Sequence, residues 1–161
     1  MVWSTADLCD RFISELQVAE PLFQRFGGKT SFAGPAATLK VFEDNSLVRQ
    51  AFESPGKGRV LVVDGGGSLR CALVGDMLAT LAIDNGWAGA IINGPIRDSK
   101  IIGDMPMGIY ALGTCPRKSE KRGAGERELP LQFAGISISS GDWIYADEDG
   151  IVVASRELPV D

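Results

Sequence analysis

Gly75-Asp76-Met77-Leu78-Ala79-Thr80-Leu81-Ala82-Ile83-Asp84-Asn85-Gly86 runs through residues 87–92 into Asn93-Gly94-Pro95-Ile96-Arg97-Asp98, and its pattern sets the central unit of the chain. Leu78, Leu81 and Ala82 recur at helical spacing while Asp76, Thr80 and Asp84 take the opposite side, which predicts a short amphipathic helix stopped at Gly86. Upstream lies the apolar run Val60-Leu61-Val62-Val63, leaving through Asp64-Gly65-Gly66-Gly67. Downstream lies Ala90-Ile91-Ile92, ending at Asn93-Gly94-Pro95. Strand, helix, strand at this spacing predicts a right-handed parallel crossover. In that unit the helix N-terminus and the loop after the second strand share the carboxyl edge of the sheet, where ligands of open α/β sheets bind. Gly75, Asp76, Met77 and Leu78 are therefore expected to meet Arg97 and Asp98. The first group offers unpaired amides and the positive helix pole, suited to a carboxylate or phosphate; the second offers a cation beside a carboxylate. Gly75, lacking a side chain, leaves those amides open to a small anion.

Outward from this unit, residues 5–13 read as a helix capped by Ser4 or Thr5, and the Gly/Ser/Pro-rich residues 26–35 as loop. Gly27-Gly28-Lys29-Thr30 lacks the P-loop spacing and reads as a turn. Residues 36–42 predict a strand, 46–52 a turn or two of helix, 99–104 a helical turn and 108–112 a buried strand. Asp64-Gly65-Gly66-Gly67-Ser68 fits no phosphate-binding fingerprint and reads as a tight strand exit. The charged residues 117–128 read as a solvated loop. Beyond them Leu131-Gln132-Phe133, Ile136-Ser137-Ile138, Trp143-Ile144-Tyr145 and Ile151-Val152-Val153 are short strands, with hairpin signals at Ser140-Gly141 and Asp149-Gly150. A parallel middle and an antiparallel second half predict a single-domain α/β layer fold with a mixed sheet.

The 161 residues suffice for a core without staples. No apolar run exceeds strand length and no signal peptide is evident, so a soluble, cytoplasmic protein without membrane contact is expected. A net charge of −5 argues against binding nucleic acid by phosphate neutralisation, and leaves room for an acidic face that docks on a basic protein. The three cysteines, Cys9, Cys71 and Cys115, are scattered and read as free thiols. Histidine is absent, which removes Ser-His and Cys-His nucleophile pairs, His zinc sites and an imidazole base. Any chemistry falls to carboxylates, Lys, Arg, Tyr, Cys, water or an oxygen-ligated metal.

Asp98 is the candidate metal ligand, because Mg²⁺ and Mn²⁺ bind through one or two carboxylates while keeping waters and open positions. Asp76 is placed to hold one of those waters. Singly, Asp76 is explained as a first-turn aspartate facing the helix dipole, and Arg97-Asp98 as a loop ion pair. Together, Asp76, twenty intervening residues, then Arg97 and Asp98 form a triple that chance supplies in about one chain in fifty of this size.

These residues, with Asp7-Leu8-Cys9-Asp10, Glu20-Pro21, Phe26-Gly27-Gly28, Phe42-Glu43-Asp44-Asn45, residues 58–67, Tyr145-Ala146-Asp147 and Asp149-Gly150-Ile151, resemble one family along nearly the whole chain. It contains the regulators of ribonuclease activity A and the metal-dependent 4-hydroxy-4-methyl-2-oxoglutarate aldolases. The resemblance implies a swivelling β/β/α domain assembled as a homotrimer or a dimer of trimers. Members that inhibit ribonuclease E lack the acidic pair, so Asp76 and Asp98 place this chain on the aldolase side, with ribonuclease E as partner only in the alternative. Carried over, the amides of Gly75, Asp76, Met77 and Leu78 would hold the pyruvoyl carboxylate of a small 2-oxo acid. Arg97 would bind its keto oxygen, Asp98 a divalent cation, Mg²⁺ or Mn²⁺, and Asp76 would orient water on that cation. No lysine falls within the pattern, so no Schiff base is required. The resemblance further implies cleavage of the 4-hydroxy acid to two pyruvates, accompanied by oxaloacetate decarboxylation. Some longer aldolases draw an acidic residue from a neighbouring subunit's C-terminal extension; the sequence, ending at Asp161, assigns no residue to that role.

Overall fold

A computed structural model describes residues 2–160. In chain order it contains α1 (Thr5–Phe12), a 3-10 turn (Ile13–Glu15), β1 (Leu16–Val18), β2 (Gln24–Phe26), β3 (Phe32–Lys40), α2 (Ser46–Glu53), β4 (Val60–Asp64), α3 (Asp76–Asp84) and β5 (Gly89–Ile96). Then follow α4 (Ser99–Gly103), β6 (Gly108–Thr114), β7 (Glu126–Arg127), β8 (Leu131–Phe133), β9 (Ile136–Ile138), β10 (Trp143–Asp147) and β11 (Gly150–Ala154).

The main sheet runs β1-β11-β10-β3-β4-β5-β6-β2, with β7 beside β3, and β8-β9 form a separate ribbon. Strands β3, β4, β5 and β6 are parallel, while β10, β11, β1 and β2 join antiparallel, so the expected mixed sheet is borne out. Strand β4 is apolar throughout because both of its faces are covered. Leu61 and Val63 point into the core beneath α2 and α3, beside Val48, Phe52, Ala79, Ala82 and Trp87. Val60 and Val62 point the other way, into a core closed by Leu131, Ile136, Ile138, Ile144, Ile151 and Val153. The period-2 alternation of one strand thus divides helices from hairpins and gives β/β/α layering. Outside the hairpin layer, α1 lays Leu8 against Tyr145 and Val152, its N-terminus capped by Ser4, whose hydroxyl accepts from the Asp7 amide at 3.1 Å. No helix among the described residues is long and apolar enough to cross a membrane.

Several sequence readings shift in the structure. Residues 26–35 are not all loop: β3 starts at Phe32 and carries Gly34 and Pro35, where it changes from antiparallel pairing with β10 to parallel pairing with β4. A side chain at Gly34 would meet the Gly58 carbonyl at 2.1 Å, so the glycine marks a close crossing of chains. The strand after α3 does not stop at Asn93. It runs to Ile96 across a register shift between Ile92 and Pro95, a bulge that admits the proline. Glu126 and Arg127, read as loop, pair with β3. Asp149-Gly150 does close a hairpin, whereas Ser140-Gly141 hands the chain from the β8-β9 ribbon to β10 and closes none. The edge strands β1 and β2 are three residues each and carry too little alternation to be read from sequence.

Candidate active site

The bulge lengthens β5 enough for its end to run alongside the residues that lead into α3. Val74 bridges Ile96 in parallel, and the Arg97 amide donates to the Val74 carbonyl at 2.9 Å. Asp98 then takes a left-handed conformation (φ 58°, ψ 37°) just before α4. Aspartate tolerates this region better than most residues, and such backbone positions cluster at ligand sites. In this geometry Oδ2 of Asp98 accepts the Asp76 amide at 3.1 Å. The expected meeting of the α3 N-terminus with Arg97 and Asp98 is therefore present.

Gly75 leaves room beside the helix amides for a carboxylate of the chain itself. A methyl group there would lie 2.8 Å from Oδ2 of Asp98, so the missing side chain makes room for that carboxylate. One helix amide, that of Asp76, is already occupied by Asp98. The amides of Met77 and Leu78, in the same first turn, have no intrahelical partner.

Gly75, Asp76, Met77, Leu78, Arg97 and Asp98 line a cleft of about 110 Å³. Its other wall was not foreseen: Asn45 and Arg49 come from the start of α2, and Lys118, Ser119 and Lys121 from the segment read as solvated loop. The two lysines bring ammonium groups to a site in which the sequence pattern placed none. Asn45 binds both walls, its amide donating to the Ser119 hydroxyl at 3.1 Å and its Nδ2 to the Leu73 carbonyl at 3.2 Å. Arg49 is paired with Glu53 at 2.7 Å, whereas Arg97, Lys118 and Lys121 have no ion-pair partner among the described residues. A chain of net charge −5 thus concentrates uncommitted cations at this cleft, an arrangement suited to a ligand with more than one carboxylate. A larger cleft of about 360 Å³ adjoins it across Lys118, lined by Phe42, Arg70, Cys71, Arg117 and Arg122 among others.

The missed wall is tied to Asp44 and Asn45, at the turn that opens α2. Asp44 is 3% exposed and accepts hydrogen bonds from the Ser46 amide and hydroxyl and from the amides of Arg122 and Ala124. Burial would raise its carboxyl, yet these hydrogen bonds outweigh burial and hold it down to about 2. Burial pushes the Cys9 and Cys71 thiols up, away from thiolate, which accords with free, unreactive cysteines.

No cluster of three or more His, Cys, Asp or Glu side chains occurs among the described residues, so a closed structural metal cage is absent from them. The donor set that is present fits a hard, largely hydrated cation instead. Oδ1 of Asp98 makes no hydrogen bond among the described residues, and Asp76 lines the same cleft.

The model of the RraA-like family, described as Aldolase/RraA, matches residues 5–153. A protein of Alkalilimnicola ehrlichii, provisionally named 4-hydroxy-4-methyl-2-oxoglutarate aldolase, is 57% identical over 154 residues, covering 96% of each chain. A relative from Laribacter hongkongensis with the same provisional name is 58% identical, covering 98% of this chain and 99% of its own. Among solved structures, the RNA-processing inhibitor RraA from Thermus thermophilis superposes with a TM-score of 0.94 at 44% identity, covering 98% of this chain and 96% of that one. A Geobacillus kaustophilus structure described as an S-adenosylmethionine:2-dimethylmenaquinone methyltransferase gives 0.95 at 56% identity, covering 97% of each chain. These relatives carry discordant activities in their names on one shared architecture, and what they establish is common: the chain belongs to the RraA-like (Aldolase/RraA) family.

Proposed function

We propose that the protein is a divalent-metal-dependent carbon–carbon lyase that cleaves 4-hydroxy-4-methyl-2-oxoglutarate to two pyruvates and decarboxylates oxaloacetate. The observation that carries this reading is the seating of Asp98 on the α3 N-terminus, with Arg97 beside it and Asp76 in the same cleft. The provisional names of the relatives agree with it.

The free helix amides of Met77 and Leu78, with the positive pole of α3, bind the carboxylate next to the keto group. Arg97 donates to the keto oxygen, where negative charge grows as the carbon–carbon bond breaks. Asp98 would hold Mg²⁺ or Mn²⁺, which when bound would supply Lewis-acid stabilisation of that same oxygen. Asp76 orients a water at the cleft that takes the proton of the 4-hydroxyl as the C3–C4 bond breaks and returns a proton to the enolate carbon, a role no histidine is available to fill. Lys118 and Lys121 hold the second carboxylate of a dicarboxylic 2-oxo acid. Both reactions leave a pyruvate enolate, so one set of residues serves both.

A homotrimer or a dimer of trimers is part of this reading. Met77, Phe42 and Leu69, lining the two clefts or adjoining them in sequence, are 68%, 58% and 61% exposed, apolar surface that a neighbouring subunit would cover. Light scattering coupled to size exclusion measures this directly.

The test is pyruvate release from both substrates with Mg²⁺ or Mn²⁺, with EDTA, and in Asp98→Ala. Turnover that EDTA and the substitution each remove supports the lyase. Likeness to the Thermus inhibitor favours one alternative, an acidic protein that binds ribonuclease E and restrains RNA degradation in the cytoplasm. Absence of turnover in every condition, with capture of ribonuclease E in a pull-down, would favour it.

A further inference from the structure

Loop 117–124 carries Lys118 and Lys121, yet its sequence is charged and glycine-containing, the composition of a segment with no fixed position. In the structure it is pinned at three points to the turn that opens α2. Oδ2 of Asp44 accepts the Arg122 and Ala124 amides at 2.8 and 3.1 Å. The Ser46 hydroxyl, itself donating to Oδ1 of Asp44 at 2.6 Å, accepts the Gly123 amide at 3.1 Å. The Asn45 amide reaches the Ser119 hydroxyl, and Ser119 is only 5% exposed. These contacts span 74–80 residues of sequence, so local chain preference does not produce them.

Asp44 is buried, carries charge and meets neither Arg97 nor Asp98 through any hydrogen bond, so a contact with the reacting atoms does not account for it. Its geometry is that of an anchor. Two backbone N–H groups converge on one carboxylate oxygen, and a charged acceptor holds such donors more tightly than a neutral one. Directly between the anchor points lies Lys121, and Lys118 lies just before them, bridging Ala72 at the cleft wall.

We infer that Asp44 is a positioning residue: it fixes the loop so that Lys118 and Lys121 face Arg97 and Asp98 across the cleft, and so sets affinity for the second carboxylate of the substrate. This rests on the lyase reading above. Asp44→Asn keeps the shape but removes the charge, and its NH₂ cannot accept the two loop N–H groups, so their bonds are weakened or lost. Ser46→Ala is a milder version that, of the loop amides, releases only Gly123, and removes one donor to Asp44.

The test pairs steady-state oxaloacetate decarboxylation with Mg²⁺ against amide hydrogen exchange. Expected for Asp44→Asn are faster exchange at Arg122 and Ala124, a KM raised about tenfold, and kcat within about twofold of the parent. Ser46→Ala follows in the same direction to a smaller extent, and carries the test if Asp44→Asn loses its cooperative thermal transition. Lys118→Ala with Lys121→Ala raises KM comparably, and adding Asp44→Asn raises it no further, because residues that act through one another are not additive. A kcat loss without a KM change, unchanged exchange at the two amides, or fully additive effects would overturn the inference. Exchange is read whether or not oxaloacetate turns over, so failure of the lyase reading shows as an inactive parent protein and failure of this inference does not.

Discussion

Oδ2 of Asp98 accepts the Asp76 amide at 3.1 Å, so two acidic residues 22 positions apart are joined by the backbone of one and the side chain of the other. The bond orients the Asp98 carboxylate and leaves Oδ1 without a hydrogen bond among the described residues. Replacing Asp98 by Asn retains an oxygen for the amide, whereas Ala removes it. Urea unfolding is therefore expected to show a loss of about 1 kcal/mol for Asp98→Ala and less for Asp98→Asn. Oxaloacetate turnover titrated with Mn²⁺ falls about 100-fold or more in both. An Asn variant with parental turnover would remove Asp98 from the metal site.

Arg97 is held by its backbone, the amide donating to Val74, while its guanidinium has no ion-pair partner among the described residues. Arg97→Ala should then leave the melting temperature nearly unchanged. Its kcat/KM falls by the equivalent of about 2.7–4 kcal/mol, the loss of one donor to a developing oxyanion. Arg97→Lys recovers only part of this, since a point charge does not reproduce the planar fork. Near-parental turnover in Arg97→Ala would refute the assignment.

Gly75 has extended backbone angles (φ −125°, ψ −170°) open to any residue, so its substitution carries no backbone strain. What an added methyl meets is Oδ2 of Asp98 at 2.8 Å, with Arg97 side-chain atoms at 3.5 Å. Gly75→Ala is expected to fold and to displace the Asp98 carboxylate by a few tenths of an ångström, while Arg97 stays in ordinary contact. Turnover drops about tenfold or more, in line with the sensitivity of reacting groups to small misplacement. Mn²⁺ titration locates the effect: weaker metal binding follows displacement of Asp98, and unchanged binding with unchanged turnover would show that the contact is slack.

The half of the site that follows from the parallel crossover was legible in sequence. The apolar run of residues 60–63, helical spacing after Asp76 and the Gly86 stop placed Gly75, Asp76, Arg97 and Asp98 on one edge, and the hydrogen bond between Asp76 and Asp98 joins the two ends at that edge. The other half depends on contacts between residues more than 70 positions apart. Lys118 and Lys121 sit in a run whose composition reads as solvated, and only the convergence of Arg122 and Ala124 amides on Asp44 gives it a place. No local pattern encodes such an anchor. Residues 26–35 mislead for a related reason: Gly34 and Pro35 signal a break, yet they sit in β3 where it exchanges one partner strand for another.

Acid sensitivity should originate in Asp44 and Asp147. Asp147 is 5% exposed; burial would raise its carboxyl, but the hydroxyl and amide of Thr5 and the amides of Asp149 and Gly150 bring it below the usual value. It thereby ties the start of α1 to the β10-β11 hairpin. For Asp44 the carboxyl is held at about 2, against 3.8 for an unperturbed aspartate. Since both folded values are depressed, the unfolded chain takes up protons first as pH falls, and the stabilisation is complete above about pH 5 and lost on descent to about pH 2. For Asp44 this amounts to about 2 kcal/mol. The urea midpoint should be flat from pH 7 to 5 and then fall, and the stability gap between the parent and Asp44→Asn should close by that amount over the same interval. Asp147→Asn should show a smaller closing of the same sign, together with earlier exchange of the Thr5 amide. A gap that stays constant down to pH 2 would mean that neither carboxylate owes its stabilising effect to ionisation.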